Sequence, residues 1–307
     1  MPSLTKAQDV FSKMKFGRLR FAAHSYLNWV HDEKQMLFKT GENEVLLIPC
    51  KKRGNEPYRR HIESKLDSLE KQVFSSLGTL YKYRRDEGVG ALFVTLTYAE
   101  SYGLDAWDRV GTDYNLFITK FKKKFGSCHV IRVWEAMKNG RPHIHVLIFL
   151  EKRIGAYENK GKIWFNHSPW HILQGLWSHG FAKFDVVRNP AGSYRYLLKY
   201  ITKAQAVSEM VGIDVILEKW ELGAFLTSAE NTKLKSVLTT ALSWIFRRRQ
   251  YSFSRGLLNL IQRRKTNSNA RDLEFLGIIS FIWDPGLFSL DSVQGRQIVS
   301  LVPPPPS

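Results

Sequence analysis

Gly140-Arg141-Pro142-His143-Ile144-His145-Val146-Leu147-Ile148-Phe149 is the stretch on which the reading of this chain turns. Side chains alternate along a β-strand. A strand here sends His143 and His145 to one face and Ile144 and Val146 to the other. Neutral imidazoles bind divalent metals, and a carboxylate or another oxygen completes such a site. Glu135 is the candidate carboxylate, on the preceding predicted strand His129–Ala136. Asn139-Gly140 marks a hairpin turn between the two. A two-residue turn pairs 136 with 143 and points Glu135 away from the histidines. A three-residue loop, or a bulge at Arg141-Pro142, pairs 135 with 145 and gathers all three ligands. Pro142 lacks a backbone N–H, which favours such an irregularity.

Working outward, Ala91–Tyr98 is β-branched and aromatic and reads as a central strand. Tyr114–Phe125 reads as a helix, with Phe117, Phe121 and Phe125 at helical spacing. Ser168-Pro169 predicts a helix start, with Ser168 as N-cap and the helix running to about Ser178. Phe181–Arg188 reads as a short strand, and Asn189-Pro190 opens a helix to about Ala204. The order β-α-β-β-α-β followed by a helix predicts an α+β fold with a ferredoxin-like antiparallel sheet. The histidine strand then lies mid-sheet, between Thr95/Thr97 on one side and Glu135 on the other. Three regions are expected. Residues 1–87 form a basic N-terminal region, irregular to about residue 60, with a strand at Val45–Pro49 and an amphipathic helix over Arg60–Arg85. Residues 88–206 form the central domain. Residues 207–307 form a basic, mostly helical region, with helices at Ser208–Gly223, Leu234–Arg249 and Gly256–Lys265 and a polyproline tail at Pro303–Pro306.

The predicted helix after Pro190 carries Tyr196-Leu197-Leu198-Lys199-Tyr200-Ile201-Thr202-Lys203. Tyr196 and Tyr200, at i and i+4, share a helix face, and Lys199 and Lys203 each follow a tyrosine by three. A free phenol, with a pKa of about 10, is a weak nucleophile near neutrality. An ammonium or a metal beside it favours the phenolate. Tyr194 is a third phenol in the same turn, and spacing alone does not choose among the three.

The 307 residues carry a formal net charge of +18, which points to a polyanionic partner. Nine tryptophans and twelve tyrosines offer platforms on which unpaired bases can stack. Lys122, Lys123, Lys124, Arg141, Arg247, Arg248 and Arg249 are the candidate DNA contacts. The longest apolar run, Phe275–Trp283, falls far short of the about 18 residues a membrane span needs. The N-terminus has no apolar core of a secretory signal, and Cys50 and Cys128 form neither a disulfide framework nor a CxxC pair. A cytoplasmic location without membrane partners is expected.

Three segments, in order, resemble the motifs of the HUH endonucleases, specifically the rolling-circle replication initiators of plasmids and single-stranded DNA phages. Phe93-Val94-Thr95-Leu96-Thr97-Tyr98 resembles the first motif, Pro142-His143-Ile144-His145 the second, and Tyr196 to Lys203 the third in its two-tyrosine form. Trp177-Ser178-His179-Gly180-Phe181 resembles a W-x-x-G-F segment of microvirus-type initiators. The resemblance spans about residues 90–205. It implies that His143 and His145 hold Mg²⁺ or Mn²⁺, with Glu135 at the position of a metal-binding carboxylate in single-tyrosine viral relatives. It implies that Tyr196 and Tyr200 are nucleophiles that nick single-stranded origin DNA through a 5′-phosphotyrosine and later rejoin it. The absence of a GxxxxGK[ST] loop implies that a separate host helicase unwinds the DNA and a host polymerase extends it. A transposase or relaxase with the same chemistry, and a non-catalytic single-stranded nucleic-acid module, are the alternatives. Non-haem iron enzymes and cupin-like barrels also use a His–His–carboxylate set, but the element order and the charge argue against both.

Overall fold

The computed structural model describes residues 4–14, 17–32, 34–39, 44–203, 212–260, 274–280, 288–293 and 296–301. In chain order the elements are α1 (Leu4–Lys13), α2 (Arg18–His31), β1 (Lys34–Lys39), β2 (Glu44–Pro49), α3 (Glu56–Leu80), β3 (Val89–Tyr98), α4 (Ala106–Phe125), β4 (Cys128–Ala136), β5 (Pro142–Ile154), β6 (Ala156–Asn159), β7 (Lys162–Phe165), α5 (His167–Gln174), β8 (Gly180–Val186), α6 (Pro190–Lys203), α7 (Ile213–Glu221), α8 (Ser228–Ile245), β9 (Tyr251–Phe253), α9 (Arg255–Leu260), β10 (Glu274–Ser280), β11 (Phe288–Val293) and β12 (Arg296–Leu301). The molecule is α+β. Among the described residues no helix is long and apolar enough to cross a membrane.

The sheet that carries the histidine strand is antiparallel throughout, in the order β8-β3-β5-β4-β9. The histidine strand β5 is therefore interior, flanked by β3 and β4. A second five-stranded sheet joins the two ends of the chain in the order β10-β1-β2-β12-β11.

Alternation divides the central sheet into two faces. One receives Leu92, Val94, Leu96 and Tyr98 of β3 with Ile144, Val146 and Ile148 of β5, all essentially removed from water. They pack under α2, α4 and α8 through Tyr26, Trp107, Phe117, Phe121 and Leu238. Each such side chain contributes roughly 1.5–3 kcal/mol by leaving water, so this layer dominates the stability of the fold. The other face is covered by α3, α6 and α9, where Ala91, Ile131, Leu147 and Phe149 meet Ile62, Leu66, Tyr194, Leu197 and Leu257. Its apolar part ends where β3, β4 and β5 reach Thr95, Glu135 and His145.

The β4–β5 turn fixes which residues share that end. Met137 N–H donates to Arg141 O at 2.9 Å and Gly140 N–H to Met137 O at 2.8 Å, closing a three-residue loop. Gly140 sits at φ 80°, and a β-carbon there would meet the Leu104 and Leu19 side chains. The loop pairs Glu135 with His143 rather than with His145, two residues from the expected register. A two-residue shift preserves parity, so Glu135 still faces the histidines.

Four further expectations need correction. The described residues before 60 are not irregular, because α1 and α2 pack Phe11, Tyr26 and Val30 against α8, and β1 and β2 pair with C-terminal strands. Among its described residues the C-terminal region has the three expected helices, as α7, α8 and α9, but it also supplies strands that were not expected, β9 to the central sheet and β10, β11 and β12 to the other. Ser168 does not cap α5, which starts after Asn166 without a side-chain cap. Between β5 and α5 lies the unexpected hairpin β6–β7, whose turn residues Lys160 and Gly161 both have positive φ, as a type I′ turn requires. The expected α6 cap is present: Asn189 Oδ1 accepts from Ala191 N at 3.0 Å and Gly192 N at 3.2 Å. The polyproline tail and residues 204–211 and 261–273 lie outside the described residues.

Candidate metal and tyrosine site

Registry across four strands builds the site. Phe181, Thr97, His143 and Glu135 are paired in one row, and Lys183, Thr95, His145 and Val133 in the next. Directly paired residues share a face, so both rows look toward α6. Glycine makes the first row possible. Gly180 has φ 146°, and a β-carbon on it would lie 2.4 Å from Thr97 O. Only glycine lets β8 approach β3 closely enough to bring Phe181 opposite Thr97.

Ligand atoms of Glu135, His143 and His145 all lie within 4.8 Å of one another. His143 Nδ1 is 2.8 Å from Thr97 Oγ1 and His145 Nδ1 is 3.4 Å from Thr95 Oγ1. A ring that donates Nδ1–H to a hydroxyl keeps its Nε2 lone pair for a metal, and the hydroxyl fixes the ring's orientation. His145 Nε2 lies 3.4 Å from Glu135 Oε2. Burial, and then the charges of His145 and Lys235, push the His143 pKa down to about 4 against the pull of Glu135. His143 is therefore neutral near physiological pH, the form that ligates metal. Burial alone would raise the Glu135 carboxyl. The hydrogen bond and charge of His145, with the charges of Lys235 and His143, outweigh it and hold Glu135 below its ordinary range. Two imidazole nitrogens and a carboxylate, all half-buried or deeper, are a donor set that fits a divalent cation.

Helix α6 lays its tyrosines over this cluster. The Tyr200 ring stacks on His145, with centroids 4.3 Å apart and planes 28° apart. The Tyr196 ring meets the edge of Phe93 at 5.5 Å, and the two hydroxyls are 2.6 Å apart. Tyr196 is 48 % exposed. Burial raises the Tyr200 pKa well above that of a free phenol; the hydrogen bond and charge of Tyr196 and the charge of Glu135 push the same way. Tyr194 points elsewhere. It is buried in the apolar layer, donates to Leu66 O at 3.3 Å and is 1 % exposed. Structure thus separates the three phenols that spacing left equivalent.

The remaining predicted residues are dispersed. Lys199 is exposed and, among the described residues, makes no hydrogen bond to either phenol; the Lys203 side chain lies outside those described. Lys122, Lys123 and Lys124 are exposed on the last turn of α4, the layer behind the opposite sheet face. Arg141 is internal: its guanidinium donates to Tyr98 O at 3.0 Å and Glu100 Oε1 at 3.2 Å, locking the hairpin to the end of β3. Arg248 donates to Trp107 O at 3.0 Å and also to Asp108 O, which ties it to α4. Arg247 and Arg249 are exposed.

Two contributors were not singled out from sequence. Thr97 was noted as a neighbour of the histidine strand but not as the hydroxyl on His143; the T-x-T alternation beside H-x-H was its signal. Lys235 acts on both Glu135 and His143 from α8. That helix is pinned to β4 by Ala136 N–H donating to Thr239 Oγ1 at 2.8 Å, one turn beyond Lys235. No local pattern in the sequence marks this contact, since it joins residues about a hundred positions apart.

Residues 91–205, about a third of the chain, match the family model described as replication-associated protein ORF2/G2P. The match runs from β3 through α6 and beyond and contains Glu135, His143, His145, Tyr196 and Tyr200. It supports a role in replication initiation. No curated protein and no solved structure was found to match the chain.

Proposed function

We propose that this protein is an HUH-type replication-initiator endonuclease, built on a ferredoxin-like sheet, that nicks single-stranded origin DNA and rejoins it through a phosphotyrosine. The observation that carries this reading is the Tyr196–Tyr200 hydroxyl pair, with the Tyr200 ring stacked on His145, beside the only cluster of three metal-ligating side chains among the described residues. The matched family model is the independent support.

His143, His145 and Glu135 would hold Mg²⁺ or Mn²⁺. When bound, such a cation would polarise the scissile phosphate and offset the repulsion that Glu135 exerts on a Tyr200 phenolate. The chain's own residues do the rest. Thr97 and Thr95 orient the imidazoles. One tyrosine hydroxyl gives up its proton as its oxygen attacks the phosphorus, the bond to the 3′ oxygen breaks and that oxygen takes up a proton, and the DNA 5′ end is left on the tyrosine with a free 3′-OH. The partner phenol, 2.6 Å away, donates a hydrogen bond to whichever oxygen carries the developing charge. In the reverse sense the same pair rejoins a strand, so the phosphodiester energy is kept in the tyrosine linkage without ATP. A host helicase and polymerase complete the cycle. The same chemistry in transposition or mobilisation would differ in the DNA cleaved.

The test is incubation of the full chain with a labelled single-stranded pool containing candidate origins, with and without Mn²⁺. A covalent protein–DNA band on a denaturing gel, absent in excess EDTA, is expected. Full-rate cleavage in EDTA would remove the metal from the account.

A further inference from the structure

Beside this site, a groove of about 1200 Å³ runs along the outer edge of β8. Its walls come from the β6–β7 hairpin, α5 and the first turn of α6. Tyr157, Trp164, Trp170 and Phe181 line it, and all four are exposed; Phe181 is 65 % exposed and Trp164 52 %. A contiguous set of exposed rings on a globular surface marks a binding site more often than chance. Trp170 is held in place by stacking on Phe165, with centroids 6.1 Å apart. Arg188 secures the hairpin wall through Glu158 Oε1 at 2.7 Å and Gly161 O at 2.6 Å.

The groove is continuous with the tyrosine site on two sides. Phe181 belongs to the row that contains Thr97 and His143, and Lys183 to the row that contains Thr95 and His145. Two strand spacings separate each from the imidazoles, about 10 Å. On the helix side Gly192 lines the groove, one turn before Tyr196. The lining also carries exposed Lys162, and Lys183 paired to Asp185 at 2.9 Å, so basic groups outnumber acidic ones.

We propose that this groove holds the bases of the single strand next to the cleaved phosphate, stacked on Phe181, Trp164 and their neighbours, with Lys162 and Lys183 meeting its backbone. The inference rests on the reading of the site as a DNA-nicking centre. Duplex DNA keeps its base faces within the stack, so a lining of exposed rings suits unpaired bases. Proline-rich peptides also dock in aromatic grooves, but continuity with the tyrosines and the basic lining favour DNA.

The experiment measures binding of fluorescein-labelled oligo(dT) to the full chain. Phe181→Ala and Trp164→Ala are each expected to weaken affinity about 5- to 100-fold, and Phe181→Trp to preserve it. Oligo(dT) should quench tryptophan emission, and Trp164→Phe should reduce that quench. Circular dichroism identifies any variant that has lost its fold, and the loss of quench in Trp164→Phe then carries the test, an undiminished quench overturning the proposal. Affinities of the folded alanine variants within twofold of the parent would overturn the proposal. So would a proline-rich peptide that quenches these tryptophans where oligo(dT) does not. Groove-dependent oligo(dT) binding without any tyrosine adduct would support the groove while rejecting the nicking reading. An adduct formed by a chain whose groove variants bind normally would reject the groove alone.

Discussion

The two faces of the central sheet are made by the same strands yet follow different rules. On β3, Leu92, Val94, Leu96 and Tyr98 point to one face and are almost wholly excluded from water. The intervening residues Phe93, Thr95 and Thr97 point to the other and remain half-buried. The first face is filled by aromatic and aliphatic side chains from three helices. The second is filled for part of its length and then left polar, with Thr97 on His143 and Tyr200 on His145. One residue's difference in position along a strand separates a side chain that holds the fold from one that faces the candidate site.

The sharpest way to break this division is to remove a ligand. His143→Ala or His145→Ala should abolish adduct formation and metal binding in calorimetry, while most affinity for single-stranded DNA survives because phosphate contacts elsewhere supply it. Loss of DNA affinity in step with cleavage would mean that the polar face holds the DNA rather than acts on it. On the opposite face, Leu96→Ala should cost about 2–5 kcal/mol in denaturant unfolding, the range for emptying a well-packed core position. A cost below about 1 kcal/mol would show that this layer is looser than its burial implies.

The next test uses pH. An unfolded histidine takes up its proton near pH 6.5, whereas folded His143 does so only near 4. Between these values the unfolded chain binds the extra proton, so stability is full above pH 6.5 and falls as pH falls. The loss for this one group is on the order of 3 kcal/mol by pH 4. Glu135, whose pKa is also depressed, loses its contribution in the same direction at the acid end. Unfolding of the metal-free protein followed from pH 7 to 4.5 should show the slope, and His143→Gln should flatten it. An unchanged slope in the variant would place the titration elsewhere. The smallest effect is expected from Thr97→Val, which removes the hydroxyl from His143 Nδ1. Metal affinity should fall about 10- to 100-fold with little change in stability. Unaltered affinity would mean that packing alone orients the ring.

Much of this division was legible in the sequence because strand alternation is a local signal. H-x-H beside T-x-T gave the shared face, and Asn189-Pro190 gave the start of the helix that carries the tyrosines. The parity of Glu135 was legible as well, although its exact partner was not, because that depends on which three residues form the loop ending at Gly140. What escaped was set by contacts distant in sequence. Arg141 and Arg248 read as DNA-binding cations, but each finds backbone carbonyls that no local pattern announces. Lys235 reaches the ligands only because α8 docks on β4. The β9 strand is only three residues long and lies in the gap between two expected helices, too short to carry a strand pattern of its own.

The most direct measurement is the identity of the residue that carries the DNA. Digestion of the Mn²⁺-dependent adduct and mass mapping should find DNA on Tyr196 or Tyr200. Tyr196→Phe and Tyr200→Phe should each retain some initial nicking but fail to complete repeated turnover. The double variant should form no adduct while it still binds single-stranded DNA. DNA mapped to Tyr194, or to a residue outside α6, or an undiminished adduct in the double variant, would contradict the account.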